Sequence, residues 1–148
     1  MIHIVEGDIF KSKAQALVNP VNCVGIMGKG LALKFKNKFP DMFLEYKKHC
    51  QEDIIQIGKM FVYSIFHKNK DWYIINFPTK KHWRENSKIE YIEEGLKDLV
   101  KEIEKLKLTS IAIPALGCGL GGLEREDVSA LIKKYLSDIQ DVEILFYK

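Results

Sequence analysis

Residues 18–40 read VNPVNCVGIMGKGLALKFKNKFP. The reading of this stretch decides the fold. A short apolar run that ends at Pro20 has the character of a buried strand. A loop with Gly25, Gly28 and Gly30 follows. Leu31, Phe35 and Phe39 then recur at helical spacing until Pro40 stops the helix. A glycine loop between a buried strand and a helix lets backbone N–H groups approach a ligand, and the helix start adds partial positive charge. The loop is not a Walker A motif, because GIMGKGLA has glycine after Gly-Lys and offers no hydroxyl to magnesium. It also lacks the GxGxxG spacing of a dinucleotide-binding turn.

The rest of the chain alternates strand and helix. IHIVEG reads as a first strand and AQALVNP as a second, while DMFLEYKKHC reads as a helix with Phe43, Tyr46 and Cys50 inward. KMFVYSIF and DWYIINF read as strands joined by the polar turn HKNK. Ser87 and Glu90 form a capping-box pattern ahead of a helix with Ile89, Ile92, Leu96, Leu99, Ile103 and Leu106 on one face. TSIAIPAL is a continuous apolar strand, followed by a second glycine loop with Gly117, Gly119, Gly121 and Gly122, then the helix EREDVSALIKKYL and the strand VEILFY. The pattern predicts one domain over residues 1–148, an α/β fold with a mixed, mostly parallel sheet between two helical layers. Both glycine loops leave strand carboxyl ends, the edge where open α/β sheets bind ligands, and the pair fits a diphosphate held between them.

Composition narrows the function classes. The chain is 47% hydrophobic and 29% charged, with net charge +3 carried almost wholly by lysine; Arg84 and Arg125 are the only arginines. That excess is too mild to announce nucleic-acid binding by itself. No apolar run approaches the roughly 20 residues of a membrane helix, and the N-terminus has no basic, cleavable leader. Cys23, Cys50 and Cys118 form no CxxC pair and suit a reducing, cytoplasmic compartment. His49 and Cys50 lack a second pair at ligand spacing, so no metal and no cofactor is expected. The expected state is a monomer with no membrane contact.

Several single residues are open to two readings. Asp8, just after the first strand, suits either an adenine amino group or a turn cap. Asn19 and Asn22 flank Pro20 and can serve a ligand or shape the turn. Lys80 and Lys81 stand side by side past a strand, and sequence does not say which faces inward. KKHWR interleaves Lys80, Lys81, His82 and Arg84 with Trp83, which suits stacking on a base beside phosphates or capping the core under a loop. Cys118 has no visible base and reads as a small loop residue rather than a nucleophile.

With VEGDIF, ALVNPVNCVGIMGKGLA, IAIPALGCGLGG and ILFY in order over essentially the whole chain, the sequence resembles the macrodomain family, the three-layer α/β/α fold that binds ADP-ribose. Through NFPTKKHWRENS it is most similar to DarG-type antitoxin macrodomains and to terminal ADP-ribose protein glycohydrolase. The resemblance implies Asp8 and the Ile9 amide on adenine, Tyr147 against the adenine ring, and Asn22 near the distal ribose. It implies Gly28, Lys29, Gly30 and Gly117, Cys118, Gly119, Leu120, Gly121 along the diphosphate.

It further implies Lys80 as a catalytic nucleophile, helped by like charge from Lys81 and Arg84 and by partial burial, with Lys81, His82, Trp83 and Arg84 as candidate DNA contacts. In terminal ADP-ribose protein glycohydrolase the second loop carries an acid where this chain has Gly121. That points to the DarG-type activity, release of ADP-ribose from thymine in single-stranded DNA. The implied partners are ADP-ribose, ADP-ribosylated single-stranded DNA and a cognate ADP-ribosyltransferase toxin. Two other functions fit the same loops: an ADP-ribose reader without turnover, and a hydrolase of protein-linked esters or O-acetyl-ADP-ribose.

Overall fold

The computed structural model describes residues 1–148. Its strands are β1 (Ile2–Val5), β2 (Ala16–Asn22), β3 (Phe61–His67), β4 (Lys70–Lys80), β5 (Ser110–Pro114) and β6 (Glu143–Tyr147). Its helices are α1 (Gly30–Lys38), α2 (Pro40–Gln51), α3 (Ile89–Lys105) and α4 (Arg125–Leu136), with short 3-10 turns at Ile9–Lys11 and Gly119–Gly121. The sheet order is β1-β6-β5-β2-β4-β3. All neighbours are parallel except β3, which pairs antiparallel with β4 through a tight turn. The expected mixed, mostly parallel sheet is therefore present.

Each sheet face is covered, so central strands are apolar throughout. On one face Ile92, Leu96, Leu99 and Ile103 of α3 and Val128 and Ile132 of α4 pack on Val18, Ile75, Phe77 and Ile113. On the other, Phe35 of α1 and Met42 and Tyr46 of α2 pack on Val21, Met27 and Ile74. Met42, rather than Phe43 or Cys50, is the fully buried partner of Tyr46 on α2; the latter two are only partly buried. Gly95 permits a close crossing of α3 over β4, since a Cβ there would stand 2.3 Å from the Phe77 ring.

Four local expectations change. The capping box is not formed: α3 starts at Ile89 with Lys88 at its N-cap and no side-chain cap bond. Ser87 is buried instead, its Oγ without a partner and its N–H donated to the Gly121 carbonyl at 2.9 Å. The second loop claims the residue that would have capped the helix. α1 starts at Gly30, the last glycine of the first loop, and Pro40 does not merely stop it but serves as the first residue of α2, where its missing N–H does no harm. The second glycine loop does not open α4 directly, because the Gly119–Gly121 turn and three further residues intervene. Finally, β4 runs on to Lys80, and its pairing with β2 slips by one residue: Val21 faces Pro78 but Asn22 faces Lys80.

Candidate active site

The carboxyl ends of five parallel strands share one edge. Along it a cleft of about 720 Å³ lies between the two glycine loops. One wall is the first loop, with Asn22, Ile26, Gly28, Lys29 and Gly30; the facing wall is Gly117 to Gly121. Pro20 and Pro114 lie between them, and Thr79, Lys80, Trp83 and Arg84 close one end.

The first loop is built around Asn22. Its Oδ1 accepts from the N–H groups of Val24 (3.1 Å) and Ile26 (3.4 Å) and from the Tyr46 hydroxyl (2.9 Å), and its Nδ2 donates to the Ile26 carbonyl at 2.7 Å. The Tyr46 hydroxyl also reaches the Asn22 carbonyl at 2.7 Å. The side-chain amide thus shapes the turn, one of the two roles its sequence context allows. Asn19 turns away into the sheet and donates to Asn76 at 3.0 Å. The backbone amides of Gly28 and Lys29 donate to nothing within the protein, and no side chain caps the start of α1. These unpaired donors lie at a helix N-terminus, where an anion is favoured.

The second loop depends on left-handed backbone at Gly117 (φ +73°), Gly119 (φ +64°) and Gly122 (φ +80°), where a Cβ is strained. Gly121 is required for space instead: a Cβ there would meet Ser87 Oγ at 2.6 Å. Leu120 between them is 62% exposed. Its Cδ1 comes within 3.2 Å of where a Cβ on Gly30 would stand, so the two loops nearly touch across the cleft.

Lys80 ends β4 inside this cleft. Its Nζ donates to the carbonyls of Trp83 (3.2 Å) and Leu120 (3.5 Å), and no carboxylate pairs with it. Burial holds its pKa below the usual lysine value. The cause is desolvation by partial burial. Lys81 is exposed and its ammonium lies over Tyr91, 5.8 Å from the ring centre. The structure therefore separates the two lysines: Lys80 lines the cleft and Lys81 does not.

Trp83, 39% exposed at the cleft end, stacks on His82 with ring centres 5.4 Å apart and carries Arg84 4.6 Å from its ring centre. It is a surface residue of the rim and no part of the core. Cys118 lines the cleft, but burial raises its pKa, its Sγ hydrogen-bonds only to the Leu116 carbonyl, at 3.8 Å, and the side chain packs against the core.

Asp8, Ile9 and Tyr147 lie outside the cleft wall, farther along the same edge. Val5 of β1 is in register with Tyr147 of β6, and Tyr147 with Pro114 of β5. Ile9 is buried, with Tyr147 packed against it. Asp8 caps the Ile9–Lys11 turn, Oδ1 accepting from the Phe10 N–H at 3.0 Å, and its other oxygen makes no bond. Ser87, Tyr46 and Thr79 were not singled out by sequence as site residues. Tyr46 was legible only as a core position, and Ser87 was masked by a helix-cap pattern. No group of three or more His, Cys, Asp or Glu is placed to hold a metal, and no helix is long and apolar enough to cross a membrane.

The fold is thus three layers, α/β/α, with two glycine loops flanking a cleft at the strand carboxyl edge that ends at the Lys80 amine. A family model described as Macro domain matches residues 18–132, and the chain belongs to the macrodomain family. It is 48% identical over 148 residues to the DNA ADP-ribosyl glycohydrolase of Thermus aquaticus, covering all of this chain and 41% of that protein. It is 38% identical over 154 residues to a DNA ADP-ribosyl transferase–DNA ADP-ribosyl glycohydrolase fusion protein of Thermosipho africanus, covering 94% of this chain and 40% of the fusion.

The chain thus spans about two-fifths of the length of these curated relatives. Among solved structures, the macrodomain of Mycobacterium tuberculosis DarG superposes with a TM-score of 0.96 at 47% identity, with 99% of this chain and 97% of that one covered. Thermosipho africanus DarTG in complex with ADP-ribose superposes with a TM-score of 0.91 at 37% identity, covering 99% of this chain and 41% of that one.

Proposed function

We propose that this chain is an ADP-ribosyl glycohydrolase that releases ADP-ribose from thymine in ADP-ribosylated single-stranded DNA, with Lys80 as nucleophile. The observation that carries this reading is a partly buried amine, free of any carboxylate, at the end of a cleft between two glycine loops. The likeness to proteins named DNA ADP-ribosyl glycohydrolase supports the substrate, and the ADP-ribose complex of a relative supports the ligand.

In this reading the ligand lies along the sheet edge. Asp8, the Ile9 amide and Tyr147 receive the adenine end. The free amides of Gly28 and Lys29 and the second loop hold the diphosphate. The distal ribose reaches Lys80. From β1 to β4 there are four inter-strand steps of about 4.8 Å, hence about 19 Å, which suits an extended nucleotide sugar.

Lys80 attacks the anomeric carbon as a neutral amine. A nitrogen–carbon bond forms while the bond to the base breaks, and the base leaves with the electron pair and takes up a proton. The ring opens to a Schiff base between Lys80 and the sugar, and water adds to it and frees both. Burial favours the neutral amine that this route needs. Gly121 leaves no acid in the second loop, which fits a nucleophile that works without one. Lys81 and Arg84 suit DNA phosphates, and the exposed Trp83 suits stacking on a base. The fusion of transferase and glycohydrolase in a relative supports a cognate ADP-ribosyltransferase toxin as partner, acting in the reducing cytoplasm.

The test compares wild type with Lys80→Ala on an ADP-ribosylated thymidine oligonucleotide, a glutamyl-ester conjugate and O-acetyl-ADP-ribose. Wild type is expected to act on the oligonucleotide and to be trapped on Lys80 by cyanoborohydride, seen as a mass increase. Lys80→Ala is expected to retain ADP-ribose binding and lose release. Binding without any turnover by wild type would make the chain a reader. Activity on the ester substrates alone would move it to the third function.

A further inference from the structure

The two edges of the sheet differ. β1 is four residues long, and its His3 side chain meets Glu143 of β6 at 2.6 Å. β3 is seven residues long, FVYSIFH, pairs with β4 in unbroken register, and has no neighbour on its other side. It has no proline, glycine, lysine or bulge, the devices that guard an open edge. No backbone hydrogen bond from another element reaches its outer side.

Beside that edge a groove of about 430 Å³ lies between β3 and α2, lined by Asp41, Leu44, Glu45 and Phe61 to Ser64. Leu44 is 62% exposed and Phe66, farther along β3, 71%. Asp41 and Glu45, one helical turn apart, pair with no cation, although the chain has net charge +3.

We propose that the outer edge of β3, with Leu44 and the carboxylates of Asp41 and Glu45, is a docking site for an extended basic segment of a partner protein, which adds to the sheet as a seventh strand. Main-chain bonds to β3 give the pairing. Alternate side chains of the guest lie toward α2, where apolar ones cover Leu44 and Tyr63 and a lysine or arginine meets Asp41 and Glu45. A second copy of β3 is a poorer occupant, because Phe61 to His67 contain no lysine or arginine to bring to those carboxylates. The site lies apart from the cleft and does not depend on the catalytic reading.

The probe is a synthetic nonapeptide of alternating valine and lysine, with a valine–glutamate peptide as control. Backbone NMR of the whole chain is expected to show shifts and slowed hydrogen exchange at alternate residues from Phe61 to His67 with the lysine peptide only. Asp41→Lys with Glu45→Lys is expected to weaken binding at least tenfold while oligonucleotide turnover, where present, and thermal midpoint stay near wild type. Two lysine peptides N-methylated in the two alternating registers keep the charge but block one set of main-chain bonds each, and one of them should lose at least tenfold.

Binding that ignores N-methylation, or survives the charge reversal, overturns the proposal. So does light scattering that shows β3-mediated dimers in place of peptide binding.

Discussion

Ser87 lies directly beneath Gly121, its amide bonded to the Gly121 carbonyl at 2.9 Å and its Oγ 2.6 Å from where a side chain on Gly121 would begin. The loop opposite the first glycine cradle is therefore fitted to a glycine by a neighbour that is distant in sequence. Gly121→Ala should destabilise the fold by about 1–3 kcal/mol through overpacking. Ser87→Gly in the same chain should recover most of that, and Ser87→Ala alone should be neutral or stabilising because it removes an unpartnered hydroxyl. Urea unfolding of wild type, Gly121→Ala, Ser87→Gly and the double variant closes a double-mutant cycle that measures the coupling, with Ser87→Ala measured beside it.

The pKa of Lys80, lowered by burial, sets a pH dependence. If the amine is the nucleophile, kcat/KM for the DNA conjugate rises with pH and levels off below the usual lysine value of about 10.4. Stability follows the same sign. Between the lowered folded value and about 10.4 the unfolded chain binds more protons, so stability rises with pH through that window. Lys80→Met should remove this slope, as thermal midpoints measured from pH 7 to 10.5 would show.

Asn22→Ala should loosen the first loop. It removes acceptors for two amides and the Tyr46 hydroxyl and a donor for the Ile26 carbonyl. A loss of about 1–3 kcal/mol in stability is expected, with weaker ADP-ribose binding by calorimetry because the free amides of Gly28 and Lys29 lose their support.

Gly95→Ala places a methyl 2.3 Å from Phe77 and should cost about 1–3 kcal/mol despite the better helix propensity of alanine. Phe77→Leu in the same chain is expected to return part of it, as read by chemical denaturation.

Burial pushes the Cys23 thiol from 9.0 up to about 11. Less thiolate at pH 8, offset in part by the greater nucleophilicity of a more basic thiolate, should make alkylation of Cys23 by iodoacetamide roughly tenfold or more slower than for an unshifted thiol. Peptide mass spectrometry over a time course reads this directly.

What sequence made legible follows from period and punctuation. Both glycine loops, the α3 face of Ile92, Leu96, Leu99 and Ile103, and the β3–β4 hairpin each leave a local signature. What it hid depends on partners far along the chain. Ser87 and Glu90 match a capping box, but the carbonyl of Gly121 competes for the Ser87 amide, and no local pattern records that. Gly95 reads as a weak point in a helix until Phe77 is placed beneath it. Asn22 has the right type for ligand or turn, and only the position of Tyr46 shows that its amide is spent on the loop. For Lys80 the sequence offered both like charge and partial burial, and only the packing at the end of β4 shows burial as the cause.

The slip in pairing that sets Asn22 against Lys80 settles more than local geometry. Side chains on a strand alternate in sense, so adding one residue reverses the parity of everything after it. Thr79 is that added residue, and it decides which of two identical neighbouring side chains lines the cleft. Excising Thr79 would leave both lysines in the chain yet present Lys81 in place of Lys80, so that counting residues from Asn76 matters as much as their kind.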